Sequence, residues 1–107
     1  FQGLRWKLAD MAIDLEAARA LVYRAAKNID AGHVDHIDVS VAKTFTNEAA
    51  MRITETAMQL AGAYGLSTEY PFERHYRDVR GMAIGYGSTE IHRNNIGKAI
   101  VEGSYRA

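Results

Sequence analysis

Two runs in the C-terminal third of the chain hold most of the residues whose types and spacing could do chemistry. They are Tyr70-Pro71-Phe72-Glu73-Arg74-His75-Tyr76-Arg77-Asp78-Val79-Arg80 and Ile84-Gly85-Tyr86-Gly87-Ser88-Thr89-Glu90-Ile91-His92-Arg93. In the first, Glu73-Arg74 and Arg77-Asp78 follow a prolyl turn. Arginine forks there could grip an anion, but opposite charges at this spacing more often pair with each other and fix the turn. In the second, Gly85-Tyr86-Gly87 resembles a fragment of a phosphate loop. It completes no Gly-x-Gly-x-x-Gly and follows no strand, so taken alone it reads as a turn. Four histidines, His33, His36, His75 and His92, invite a metal reading, yet none forms an i,i+4 pair with a flanking carboxylate; all four read as solvated surface residues, and no metal centre is expected. Met11, Met51 and Met58 read as core filler.

The chain that must position these residues has 107 residues, 48% of them hydrophobic, with a single proline. That suits one domain with a packed core. Thirteen basic residues balance thirteen acidic ones, so no overall field would hold nucleic acid or an anionic membrane. With no cysteine, disulfides, thiol catalysis and thiolate metal sites are excluded, in keeping with a reducing cytosol. Charge interrupts every apolar stretch before a spanning length, and the abrupt start at Phe1-Gln2-Gly3 has no basic leader region. We expect a cytoplasmic protein, or one of the mitochondrial matrix if eukaryotic, and a chain cut from something longer.

The periodicity is helical throughout. Leu4, Leu8, Met11, Leu15, Ala18, Val22, Ala25 and Ile29 step by threes and fours along one face, and Ala31-Gly32 closes that helix. A second long helix carries Ala42, Phe45, Ala49, Ile53, Ala57 and Leu60 as far as Gly62. Asp35 or Asp38 could cap it, and Glu48 and Arg52 would pair at i,i+4 on its outer face. Gly65 to Tyr70 reads as a loop, Pro71 suits the first turn of a third helix running to about Ala83, and Ser88 or Thr89 can cap a fourth with Ile91, Ile96, Ile100 and Val101 as its apolar contacts. No segment alternates as a strand would. The expected fold is all-α, an antiparallel four-helix bundle of two long and two shorter helices.

Taken together, the two C-terminal runs resemble the signature of the acyl-CoA dehydrogenase family: aromatic-Pro-x-Glu-Arg-x-x-Arg-Asp, a spacer, then Glu-Gly-Thr-x-Glu/Gln-Ile-x-Arg. Phe1-Gln2, Trp6 to Met11, Leu15 to Arg19, Val22-Tyr23, Ala42-Lys43 and Glu48-Ala49 extend the likeness through the chain. The resemblance implies the C-terminal helical domain of an FAD-dependent enzyme that dehydrogenates an acyl-CoA thioester between its α- and β-carbons. It would be a homo-oligomer, dimer or tetramer, or part of a heteromer, with N-terminal and middle flavin domains lying outside these residues and no activity in isolation. It also implies FAD contacts at Gln2, at Gln59, Leu60, Ala61 and Gly62 across a subunit interface, and at Gly87, Ser88 and Thr89, where helix-start amides favour an anionic group. Ala63 stands where the family carries a second glycine, which implies a looser approach to the cofactor. Tyr86 stands where many members carry the glutamate that removes the α-proton, and Glu90 falls on the family's flavin-side position. A phenol titrates near pH 10, so the catalytic residue of this copy is unknown: the base lies upstream of Phe1, or the copy is a non-catalytic partner subunit or a helical interaction module.

Overall fold

A computed structural model describes residues 1–105 of the chain. Helix α1 spans Gln2–Asp30, α2 His36–Ala61, α3 Phe72–Ile84 and α4 Thr89–Val101. A 3-10 turn, Gly62–Leu66, extends α2 at its C-terminal end, where the sequence suggested only loop. No strand occurs among the described residues. At 29 residues and about 1.5 Å per residue, α1 sets the long axis of the molecule, which measures 48 × 29 × 27 Å.

Local chemistry fixes the joints. Gly32 takes φ +81° and turns the chain after α1, its amide donating to Ile29 O at 2.9 Å, as a helix C-terminus favours. Of the two expected caps of α2, Asp35 does the capping. Its Oδ1 accepts from the Ile37 amide at 2.8 Å, while Asp38 lies inside the first turn and pairs with Arg24 and with Asn28 Nδ2 at 3.0 Å. Pro71 immediately precedes α3, where its missing N–H costs nothing.

Helix α2 is the hub: α1, α3 and α4 each pack against it. Its interfaces are built from small residues. Ala42, Ala49, Ser40 and Thr44 of α2, Ala18 and Ala25 of α1, Ala83 of α3 and Thr89 and Ala99 of α4 are buried, and among the described residues no large side chain is fully so. Small side chains let helix backbones approach closely, and they leave the large ones at the rims. Two expectations shift accordingly. On α1 the inward face runs Met11, Asp14, Ala18, Leu21, Ala25, Asn28, whereas Leu8, Leu15, Val22 and Ile29 form an exposed row beside it. On α4, Ile91, Ile100 and Val101 are exposed and Ile96 only half-buried, the buried contacts coming from Thr89 and Ala99. The expected Glu48–Arg52 pair is also redrawn. Arg52 forms a bidentate bridge to Asp14 of α1, both contacts 2.8 Å, and Glu48 accepts from Arg93 Nη2 of α4 at 2.7 Å. Each side chain reaches across to a neighbouring helix, so the charges clamp α1 and α4 onto α2.

Candidate functional site

Tyr86 sits on the turn between α3 and α4, and its geometry is unusual. It is the single non-glycine residue with positive φ among the described residues, at +56°, and its side chain is 100% exposed. An L-residue in this conformation costs about 1–2 kcal/mol, and no contact of the side chain within the chain offsets it. The turn is held from several sides. Gly85 N donates to Gly81 O at 2.8 Å. From α2, Lys43 Nζ donates to Met82 O at 3.3 Å and to Gly85 O at 3.0 Å, and Asn47 Nδ2 to Met82 O at 3.1 Å. Beyond Tyr86, Gly87 takes φ +90°; a Cβ there would come within 3.0 Å of His92 Nε2.

His92 therefore does not belong with the solvated histidines. It is half-buried, its Nδ1 shares a 3.1 Å hydrogen bond with Ser40 Oγ of α2, and its Nε2 is buried without a hydrogen-bond partner. Nothing local in the sequence marks it, because its neighbours Ser40 and Gly87 are 52 and 5 residues away along the chain. Lys43 and Asn47 were missed for the same reason. Their one trace is negative: α3 has no basic residue in its own last turn, so its carbonyl end needs a donor from elsewhere.

The remaining predicted residues fall in two places. Ser88 caps α4, its Oγ accepting from the Ile91 amide at 3.4 Å, and Thr89 is buried, so the outward-facing part of that trio is the turn backbone with the Ser88 hydroxyl. Glu90 follows in the first turn, and its own amide and the Ser88 hydroxyl hold its carboxyl below the usual range. At the other end of α2, Gln59 is exposed beside a groove of about 410 Å³ lined by Glu55, Met58, Gly62, Ala63, Leu66 and Tyr76. Leu60 and Ala61 are half-buried there. Gly62 has φ +60° and ψ −135°, a conformation that only glycine adopts readily, and a Cβ on it would meet nothing within 4 Å. Its backbone thus faces open space. Gln2, also exposed, opens α1; since Asp14 pairs with Arg52 and Asn28 with Asp38, α1 runs antiparallel to α2 and Gln2 lies toward this same end. Ser40, against the Tyr86 turn, and Gln59 are 19 residues apart on one helix, roughly 28 Å at the helical rise. One chain does not bring the two groups together. In the prolyl segment Glu73 pairs with Arg77 at 2.7 Å, while Arg74 and Asp78 make no ion pair among the described residues, so the expected network reduces to one i,i+4 bridge.

Comparison with known proteins decides what these features belong to. The sequence profile described as acyl-CoA dehydrogenase, C-terminal domain, matches residues 1–101. The chain belongs to the acyl-CoA dehydrogenase family. It is 42% identical over 101 residues to a short-chain specific acyl-CoA dehydrogenase of Megasphaera elsdenii, covering 94% of this chain and 26% of that protein. To the mitochondrial short-chain specific enzyme of Sus scrofa it is 45% identical over 107 residues, 99% of this chain and 26% of that one. The solved butyryl-CoA dehydrogenase of M. elsdenii superimposes with a TM-score of 0.92 at 42% identity, over 94% of this chain and 26% of that one. A glutaryl-CoA dehydrogenase in complex with glutaryl-CoA gives 0.91 at 38%, over all of this chain and 27% of that one. The chain thus spans about a quarter of the length of these relatives, and the all-helical expectation holds.

Proposed function

We propose that this chain is the C-terminal domain of an FAD-dependent acyl-CoA dehydrogenase that removes hydrogen across the α- and β-carbons of an acyl-CoA thioester, the other flavin-binding domains being supplied outside these residues. The observation that carries the reading is the Tyr86 turn. A strained, fully exposed residue held by two glycines and by α2 is what a binding surface retains at a cost in stability, and it occupies the family's base position. Tyr86 lines the acyl pocket and does not take the proton. A phenol in water titrates near 10, far from the neutral pH at which a carboxylate acts as base. Its main-chain amide is indifferent to the side chain and remains free to polarise the thioester carbonyl.

FAD fits the residues present. Gly62 offers an uncovered backbone beside the Gln59 groove, and Gln59, Leu60, Ala61 and Gly62 would hold one part of the cofactor with Gln2 nearby. Gly87 and Ser88, with the amide end of α4 that Thr89 opens, would hold another. When bound, the flavin would accept the hydride from the β-carbon. The distance between the two groups along α2 supports contact with flavin from two copies of the domain, hence a homo-oligomer, dimer or tetramer. Self-association would also cover Leu8, Leu15, Val22 and Ile29 on α1, whose exposure in one copy exceeds 40% at every position. No helix among the described residues is long and apolar enough to cross a membrane; the likeness to a bacterial and a mitochondrial short-chain enzyme favours action in the cytoplasm or the mitochondrial matrix.

A second reading, a non-catalytic subunit of a heteromeric dehydrogenase, is favoured by one observation: of the carboxylates near the turn among the described residues, Glu90 lies inside α4 and Glu48 is paired with Arg93. The test uses the protein that carries this domain. Tyr86→Phe should change turnover modestly with flavin retained; a loss of several orders of magnitude would make the hydroxyl essential and refute the assignment. Tyr86→Glu should raise activity if no other base exists, and lower it if a second carboxylate already serves, because two would raise each other's pKa. Gln59→Leu should weaken flavin retention at unchanged helical content. A parent protein that retains no flavin would leave only a helical interaction module.

A further inference from the structure

Helix α3 ends with no basic residue in its last turn, and the last carbonyls of any helix lack partners within it. Lys43 and Asn47 of α2 supply them, but they do different things. Asn47 touches Met82 O alone. Lys43 bridges Met82 O and Gly85 O, and so ties the body of α3 to the first carbonyl beyond it. That carbonyl and the Tyr86 N–H belong to one planar peptide unit, so anchoring Gly85 O sets the direction of the N–H. A cation donating to the carbonyl also polarises the amide at its other end and makes it a stronger donor. The Tyr86 N–H makes no backbone hydrogen bond among the described residues.

We propose that Lys43 is a positioning residue for the reaction: by gripping Gly85 O from α2 it orients and polarises the Tyr86 amide, which receives the carbonyl oxygen of the acyl thioester. The proposal rests on the acyl-CoA reading above. It assigns to a lysine on a different helix, one that donates to Met82 O and Gly85 O, control of the strength of a main-chain donor. The strained φ of Tyr86 follows from the same grip, since the peptide plane is fixed on one side by Lys43 and the chain must then enter the Ser88 cap of α4 within two residues.

The Gly-Tyr dipeptide occurs once in the chain, at positions 85 and 86, so carbonyl-¹³C glycine with ¹⁵N tyrosine labels this single peptide bond for NMR. In Lys43→Met the Gly85 carbonyl and Tyr86 nitrogen resonances should both move upfield as the donor is lost, with helical content kept. Lys43→Arg should bring both back toward their original positions. Asn47→Leu should lower the melting temperature and leave both resonances in place. In the flavin-bound protein carrying this domain, Lys43→Met should lower kcat roughly ten- to hundredfold at similar KM and raise the carbonyl stretch of a bound ¹³C-thioester. Should Lys43→Met not fold, Lys43→Leu, which also lacks a donor, is read in the same way. An unmoved resonance pair in the Lys43 variant, or an equal movement in Asn47→Leu, overturns the proposal. A pair that moves while even the unmutated protein shows no perturbed thioester carbonyl upholds the Lys43 grip and refutes the acyl-CoA reading instead.

Discussion

Replacing Tyr86 by glycine should stabilise the fold, although it deletes the largest side chain on the turn. Its side chain is fully exposed, so its removal uncovers nothing. At φ +56° an L-residue carries about 1–2 kcal/mol of strain that glycine does not. Against this, the added freedom of glycine in the unfolded chain costs about 0.5–1 kcal/mol. The net is a gain of about 0.5–1 kcal/mol, which for a domain near this size raises the midpoint by about 2–8 °C. The assay is thermal unfolding of the chain followed by circular dichroism, with Tyr86→Ala alongside. Alanine keeps the Cβ and the strain and should melt with the parent, which separates the backbone effect from the loss of the ring. A Tyr86→Gly midpoint at or below that of Tyr86→Ala would refute the reasoning, because it would mean the turn is not strained at this residue.

Four further outcomes follow from other parts of the fold. Arg52, by hydrogen bond and charge, holds the Asp14 carboxyl below its ordinary value, so the pair contributes above the unfolded pKa near 4 and is lost as pH falls through the lower folded value; with Arg52 half exposed, Asp14→Asn should cost about 0.5–1 kcal/mol near neutrality and flatten the acid limb of a stability-against-pH curve. Gly65→Ala should destabilise by roughly 2–3 kcal/mol in chemical denaturation, since its Cβ would lie 2.5 Å from Met58 O, whereas Gly81→Ala, with open space around it, should gain about 0.5–1 kcal/mol. Ser88→Ala removes the cap of α4 and should cost about 1 kcal/mol, read as a lower melting temperature with faster amide exchange at Ile91.

The helices and their ends were legible because they are set by neighbours in sequence. Asp35, Ser88, Gly32 and Pro71 act within a turn of where they stand, and the 3.6-residue period is a local property. Which apolar row faces inward was not legible on α1 or α4. The row Leu8, Leu15, Val22, Ile29 is more hydrophobic than the alanine-containing row that packs, and hydrophobicity alone cannot tell a face that meets its own domain from one left over for another. Small residues occupy the interior here, and the large apolar side chains are left at the rims. At the candidate site, the residues' own pattern read only as turns and helix ends, and the family resemblance alone pointed to the Tyr86 turn and the Gln59 end. The tie of Lys43 to Gly85 and the seat of His92 between Ser40 and Gly87 depend on separations of 42 and 52 residues, which no local pattern encodes.

The placement of α2 at the centre has a consequence for motion. Because α1, α3 and α4 each pack on α2 and none makes a comparable contact with another, any one of the three outer helices can lift away while the other two stay on α2. Native-state hydrogen exchange would then show α2 opening last, with α1, α3 and α4 each opening at a lower free energy. Opening of α3 would release the Lys43 tie and with it the Tyr86 turn, whereas opening of α1 would carry Gln2 away and leave that turn in place.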